Sequence, residues 1–197
     1  MMPTPVAGDA GGLHSKTTKE APVSKRDCSG FTIIELMIAI SLLAVILTLA
    51  VPAFGRFIEQ QQLTATANRL VGHLQFARGQ AITRGTLVAA CPSRDGRTCT
   101  GGNRWEQGWI VYLDPEKAGQ PAEGGDVLRV VQAMPEHVMH SGGRHRVRFK
   151  DSGMAYGTNL TIRICSRGNP EAARAVIVSN PGRVRATREV DPAECGG

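Results

Sequence analysis

The stretch Gly30-Phe31-Thr32-Ile33-Ile34-Glu35-Leu36-Met37 opens an apolar run that lasts to Phe54. Among the 24 residues from 31 to 54, only Glu35 is charged. A helix of that length rises ~36 Å and can cross a hydrocarbon core of ~30 Å. A carboxylate inside such a segment is costly unless a partner meets it. The run therefore predicts a membrane helix whose single acid needs a partner from outside the segment.

This run and the residues before it resemble a known processing signal. Lys25-Arg26-Asp27-Cys28-Ser29-Gly30, followed by Phe31 and by Glu35 in a long apolar run, resembles the class III signal of type IV pilins and type II secretion pseudopilins. The resemblance implies that a prepilin peptidase cuts after Gly30 and methylates the new amino terminus at Phe31. It also implies that Glu35 pairs with the terminal amine of a neighbouring subunit. The alternative is an ordinary secretory signal, but there the apolar core precedes the cleavage site, whereas here it follows and is kept.

The charge of the chain is unevenly distributed. The 197 residues carry a formal net charge of +6, and the 167 that remain after residue 30 carry 19 Lys/Arg against 14 Asp/Glu. Residues 144–188 hold 10 basic and only 2 acidic side chains, and the last nine residues are acidic again. A block of +8 within 45 residues indicates an anionic partner or surface.

The cysteines predict disulfides in an oxidising compartment. Cys28 lies in the leader, so four remain, an even number suited to two bonds. The sequence leaves the pairing open, although Cys91 with Cys99 and Cys165 with Cys195 are nearest. Closing those loops is worth roughly 2.5 and 3.5 kcal/mol. A metal site is disfavoured because no Cys-x-x-Cys occurs and the histidines are scattered, so we expect neither metal nor cofactor.

Beyond Pro52 the pattern predicts that the helix continues, bent at the proline, and ends near Gly85. Apolar positions spaced by four and three form one stripe, which we expect to pack on the chain's own sheet rather than on another subunit. Gln60, Gln61, Arg69 and Arg78 lie off that stripe. The stripe consists of Leu63, Ala67, Leu70, Leu74, Ala77 and Ala81.

About six short strands are predicted after the helix. They fall at 86–90, 109–113, 127–133, 144–150, 160–165 and 175–179, with a further short one at 138–140 and an extended segment from Arg183. One long helix followed by such strands predicts an α+β fold with a small antiparallel sheet. Several stretches also resemble the FimT/GspH family of minor pilins and pseudopilins, which implies the type IV pilin-like fold. They are residues 77–81, Trp105 with Gly108-Trp109, Asp114, Phe149 with Gly153, and the hairpin 176–183.

No catalytic constellation is present. The chain lacks G-x-S-x-G, the P-loop pattern and G-x-G-x-x-G. Its one close histidine pair, His137 and His140, is interpreted as solvated. We therefore expect a protein that is not an enzyme.

The strongest functional pattern outside the helix is Gly182-Arg183-Val184-Arg185, with Arg188 three residues further on. Alternation puts Arg183 and Arg185 on one side of an extended segment, about 7 Å apart, close to the spacing of successive phosphates along a strand. Guanidinium groups suit phosphate oxygens, and Gly182 allows close backbone approach. The pattern resembles the GRxR element of FimT minor pilins, which is held to grip DNA during uptake. The alternative is that these arginines are only hydrated surface residues or contact neighbouring pilins.

Other arginines are candidates for a wider footprint. Four like charges along 144–150 share a strand face that must meet solvent or an anion. The candidates are Arg144, Arg146, Arg148, Arg163, Arg167 and Arg174. Phosphate contacts position without reading bases, so sequence-independent binding is expected, with a log–log salt slope of about −3. Few aromatic residues lie in this block, which favours duplex over single-stranded DNA.

These observations predict a minor type IV pilin that binds extracellular double-stranded DNA for natural transformation. The alternative is a GspH-like pseudopilin, a structural tip subunit of a type II secretion pseudopilus. The expected organisation is a leader at 1–30, a transmembrane and assembly segment at 31–54, an amphipathic helix at 55–85 and a β-rich domain at 86–197. The basic residues Lys25 and Arg26 predict an inner-membrane orientation with the C-terminal domain in the periplasm. The resemblance implies that the subunit then joins other pilins in a surface pilus.

Overall fold

The structure is a computed structural model that describes residues 30–122, 125–169 and 172–195. The proposed leader, apart from Gly30, lies outside the described residues. The chain divides into two units, with the boundary between Val45 and Ile46. A single helix, α1, runs from Ile33 to Arg84 and contains Pro52.

The first unit contains the start of α1, which is capped by Thr32. The Glu35 N–H donates to the Thr32 hydroxyl at 3.3 Å, and the Leu36 N–H donates to the Thr32 carbonyl at 3.1 Å. The Glu35 carboxylate makes no hydrogen bond or ion pair with any residue that the structure describes. Apolar side chains here are exposed, and α1 is long and apolar enough to cross a membrane.

In the second unit, α1 buries the predicted stripe. All six of its residues are at most 1% exposed, which confirms the expected packing on the chain's own sheets. The helix ends with a paired cap in which Gly85, at φ 61°, donates to the Ile82 carbonyl, and Thr86 donates to the Ala81 carbonyl. This is the glycine-dependent termination that the sequence predicted.

Within the described residues, eight strands follow the helix and form two antiparallel sheets rather than one. Sheet A has the order β3-β2-β1-β5, and sheet B has the order β4-β6-β7-β8. The strands are β1 Val88–Pro92, β2 Trp109–Leu113, β3 Val127–Val131, β4 His137–Ser141, β5 Val147–Phe149, β6 Leu160–Ser166, β7 Ala173–Val178 and β8 Val184–Thr187. Short 3-10 helices lie at Trp105–Gln107 and Pro192–Cys195.

Four predicted strands are shorter or shifted, among them 127–133, which ends at Val131, and 175–179, which lies at Ala173–Val178. The first begins at Val88 instead of residue 86, because Thr86 is used in the helix cap. The basic strand predicted at 144–150 is reduced to Val147–Phe149, because the Arg144 N–H donates to the Gly142 carbonyl in a turn. Every other predicted strand overlaps an observed one.

One core joins the helix to both sheets. The stripe of α1 clusters with inward side chains of each sheet, including Trp109, Phe149 and Ile162, and with Trp105 of the first 3-10 helix, all 0% exposed. Burying each large apolar side chain contributes about 1.5–3 kcal/mol. The core therefore fixes the edge strand β8 relative to the second half of the helix.

Two disulfides tie the loops to the sheets. Cys91 pairs with Cys99 at an S–S distance of 1.95 Å, and Cys165 pairs with Cys195 at 2.00 Å. These are the nearest pairs in the sequence. The second bond holds the C-terminal 3-10 helix to β6.

Candidate nucleic-acid interface

The GRxR stretch lies in a tight hairpin at the edge of sheet B. The Ser179 N–H donates to the Arg183 carbonyl at 3.1 Å, and the Gly182 N–H donates to the Ser179 carbonyl at 2.8 Å. β8 then pairs with β7 on one side only, with Arg185 opposite Ile177. The other edge of β8 is unpaired in the part of the chain described here. The arginines are therefore presented on an open sheet edge.

Gly182 has a structural role that the sequence did not indicate. It is buried at φ +78°, and a Cβ added to it would lie 1.8 Å from the carbonyl oxygen of Gly153. That same oxygen accepts a hydrogen bond from Arg78 Nε at 3.0 Å. The close backbone approach that we expected toward a ligand is thus made to Gly153 inside the protein. Gly182 therefore positions the hairpin against Gly153.

Arg183, Arg185 and Arg188 are exposed. Their guanidinium groups make no hydrogen bond or ion pair with any described residue. Val184, between the first two, is buried against the core, as the predicted alternation requires. Three cationic side chains within six residues are therefore free to meet an anion from outside.

Two of the other candidate arginines already have a carboxylate partner. Arg148 Nε lies 2.7 Å from Asp114 Oδ2, and Asp114 is 1% exposed. Arg163 forms a bidentate ion pair with Glu194, in which Arg163 Nη2 lies 2.7 Å from Glu194 Oε1. Each of these two therefore has an anion supplied by the chain itself, from a residue 34 or 31 positions away.

The remaining candidates have uncharged partners. Arg144 donates to the carbonyl and side-chain oxygens of Asn159, and Arg167 donates to the carbonyl of Pro135. Arg146 contacts the adjacent His145 ring at 2.7 Å. Arg174 reaches the Thr64 hydroxyl on α1 at 3.4 Å, and burial, together with nearby Arg188, lowers its pKa. Arg144 and Arg167 are exposed like the trio, whereas Arg146 and Arg174 are half-buried.

Two grooves flank the hairpin. An outer groove of about 660 Å³ on sheet B is lined by Arg144, Arg163 and Ile177 and ends at residues 179–181 of the hairpin. A second groove of about 490 Å³ lies between α1 and β8 and is lined by Arg78 and Arg183. No local pattern in the sequence connects Arg78 with the GRxR stretch, since the two are about a hundred positions apart.

The histidine pair is not solvated as expected. His137 is 3% exposed, and its burial lowers its pKa despite Glu136 and Glu59 nearby. No group of three or more His, Cys, Asp or Glu side chains suited to a metal occurs among residues 30–122, 125–169 and 172–195.

Comparison with known proteins identifies two sequence families. The family described as type II transport protein GspH matches residues 66–182, more than half of the chain. The prokaryotic N-terminal methylation motif matches residues 25–51. No curated protein sequence matches the chain significantly.

A solved structure of a minor pilin shares the fold, and two further solved structures match with lower scores. The type IV minor pilin FimU of Pseudomonas aeruginosa PAO1, in one crystal form, matches with a TM-score of 0.51 and 21% identity over 66% of this chain and 92% of that chain. A second crystal form of the same protein matches with a TM-score of 0.49 and 21% identity over 64% of this chain and 92% of that chain. The minor pseudopilin EpsH of Vibrio cholerae has a TM-score of 0.45 and 14% identity over 64% of this chain and 95% of that chain.

Proposed function

This chain belongs to the GspH family of pilin-like structural subunits, and from that premise we propose that it is a minor type IV pilin that binds double-stranded DNA through Arg183, Arg185 and Arg188. The family and its methylation motif imply processing by a prepilin peptidase and assembly with other pilins. The apolar start of α1 fits a membrane anchor. DNA binding, exposure on a pilus and a role in transformation are parts of the proposal.

The observation that carries the DNA proposal is the contrast between the free trio and the other arginines. Arg148 and Arg163 are neutralised within the chain, whereas Arg185 on β8, and Arg183 and Arg188 at its two ends, have no carboxylate partner among the described residues. Unpaired guanidinium groups at an exposed edge suit phosphate oxygens. An extended strand edge also repeats charge at intervals comparable to the phosphates of a duplex backbone.

The processing and assembly sites belong to the same proposal. We expect cleavage after Gly30, methylation of Phe31, and pairing of Glu35 with the terminal amine of a neighbouring subunit. Supporting this, the Glu35 carboxylate is without a partner in the described part of the chain. Mass spectrometry of the processed chain tests the first two. An amino terminus other than N-methylated Phe31 would contradict them.

Fluorescence anisotropy with a labelled duplex tests the DNA proposal. The full-length chain is held in a non-ionic detergent, and Arg183→Gln with Arg185→Gln is compared with Arg94→Gln with Arg97→Gln. The control pair is exposed and removes the same charge from the loop closed by Cys91 and Cys99. We expect the first pair to weaken binding on the order of tenfold per lost phosphate contact at about 50 mM salt, and the control to change it little. Equal effects of the two pairs would refute the assignment.

A secretion pseudopilin is the second candidate, favoured by the description of the matching family as a type II transport protein. Such a subunit would have protein partners at the tip of a pseudopilus and no need of nucleic acid. Absence of duplex binding by the wild-type chain even at low salt would support this candidate.

A further inference from the structure

We propose that Arg78, on α1, is a further phosphate-binding residue and that it forms one anion-binding groove with Arg183. The inference rests on the proposed DNA binding and extends the contact from the edge of β8 to the helix. It concerns a residue that lies outside the basic block of residues 144–188.

The groove between α1 and β8 is lined by both Arg78 and Arg183. It has a volume of about 490 Å³ and includes no carboxylate among its lining residues. They are Gln75, Arg78, Gly79, Ile82, Arg183 and Val184. Two like charges in one groove without a counter-ion raise the local potential and favour an anion there.

Arg78 is held in place by the same junction that positions the hairpin. Its Nε donates to the Gly153 carbonyl at 3.0 Å, and the structure describes no partner for its two terminal amino groups. A Cβ on Gly153 would lie 3.0 Å from Arg78 Nε, and a Cβ on Gly182 would lie 3.2 Å from it. The two glycines therefore leave the space in which the Arg78 side chain lies.

This arrangement suits a phosphate. A guanidinium anchored through Nε keeps two donors for an external acceptor and loses little further side-chain freedom when it binds. Arg183 provides a second guanidinium group in the lining of the same groove, and the Gln75 amide provides a neutral donor. One backbone phosphate in the groove, with its neighbours along the strand meeting Arg185 and Arg188, would join the helix and the GRxR stretch in one footprint.

Gly79 allows the groove to be tested without removing a native contact. A Cβ at Gly79 meets nothing within 4 Å, so Gly79→Glu places a carboxylate in the groove without a clash, and Gly79→Gln adds the same bulk without charge. Gly72 is the matched control, because it is also exposed with open space around it. It lies about 10.5 Å along the same helix face, roughly one Debye length at 0.1 M salt. All three substitutions favour the helix relative to glycine.

The three full-length variants are titrated in detergent against a labelled duplex, together with Arg78→Gln. We expect Gly79→Glu to weaken binding about tenfold relative to Gly79→Gln, and Gly72→Glu to change it less than about twofold. Arg78→Gln should reduce the magnitude of the log–log salt slope by about 0.9, as loss of one phosphate contact requires, and Arg78→Lys should restore most of it. A merely structural Arg78 would lower the melting temperature and leave the slope unchanged.

Three outcomes would overturn the inference. If Arg183→Gln with Arg185→Gln weakens binding while Gly79→Glu matches both glycine controls, the helix takes no part and the proposed function stands alone. If the wild-type chain does not bind the duplex, both fail together. If poly-L-glutamate competes as well as the duplex at equal charge and shows the same sensitivity to Gly79→Glu, the groove is a docking site for carboxylates of another protein.

Discussion

Replacing Gly182 by alanine is expected to lower the free energy of unfolding by about 3 kcal/mol. The backbone at φ +78° costs alanine about 1 kcal/mol relative to glycine. The new Cβ would also lie 1.8 Å from the Gly153 carbonyl oxygen, a backbone atom that cannot rotate away. To relieve that contact the oxygen must move off Arg78 Nε, which forfeits a charge-assisted hydrogen bond worth about 2 kcal/mol.

Thermal unfolding of the full-length chain in detergent, followed by circular dichroism, measures this loss. A change of about 3 kcal/mol corresponds to a fall in melting temperature of about 6–12 °C for a chain of this size. Gly79→Ala is the matched control, because its Cβ enters open space in an exposed helical position and should stabilise by about 0.5–1 kcal/mol. A Gly182→Ala chain that melts with the wild type would refute the structural role assigned to this glycine.

Three further predictions concern stability. Asp114→Asn removes the buried partner of Arg148 and should cost about 3 kcal/mol in urea denaturation; an unchanged midpoint would contradict the pairing. Burial lowers the pKa of His137, so the unfolded chain binds more protons below about pH 6.5, and the melting temperature should fall from about pH 7.5 to about pH 5.5. His137→Gln should make this fall in melting temperature smaller. A larger fall in the variant would contradict the role assigned to His137. Cys165→Ser with Cys195→Ser opens a 30-residue loop and should cost about 3.5 kcal/mol, and an unchanged free energy of unfolding would contradict this contribution.

The helix could be predicted well because its signals are local. The stripe that begins at Leu63 follows from a spacing of four and three, and the end of the helix follows from the conformational freedom of Gly85. Most strands could be found from alternation and turn residues for the same reason. The division into two sheets could not, because it depends on pairings such as Val88 with Phe149, which are distant in the sequence.

In the candidate site, too, the features with a local sequence signal could be predicted and those that depend on distant residues could not. Exposure of Arg183 and Arg185 on either side of a buried Val184 follows from alternation alone. The neutralisation of Arg148 by Asp114 does not, because a carboxylate 34 residues away is selected by the fold and not by the local pattern. The sequence predicts that the backbone can be approached closely at Gly182. The partner in that close contact is Gly153, which only the packing of the hairpin reveals.

The salt dependence of duplex binding tests the central claim most directly. For the wild-type chain the logarithm of the affinity should fall linearly with the logarithm of salt concentration, with a slope of about −3, since three or four phosphates are neutralised. For Arg183→Gln with Arg185→Gln the slope should flatten by about 1.8, the release expected from two phosphates. A slope that is the same in both proteins would mean that these arginines do not hold the DNA backbone.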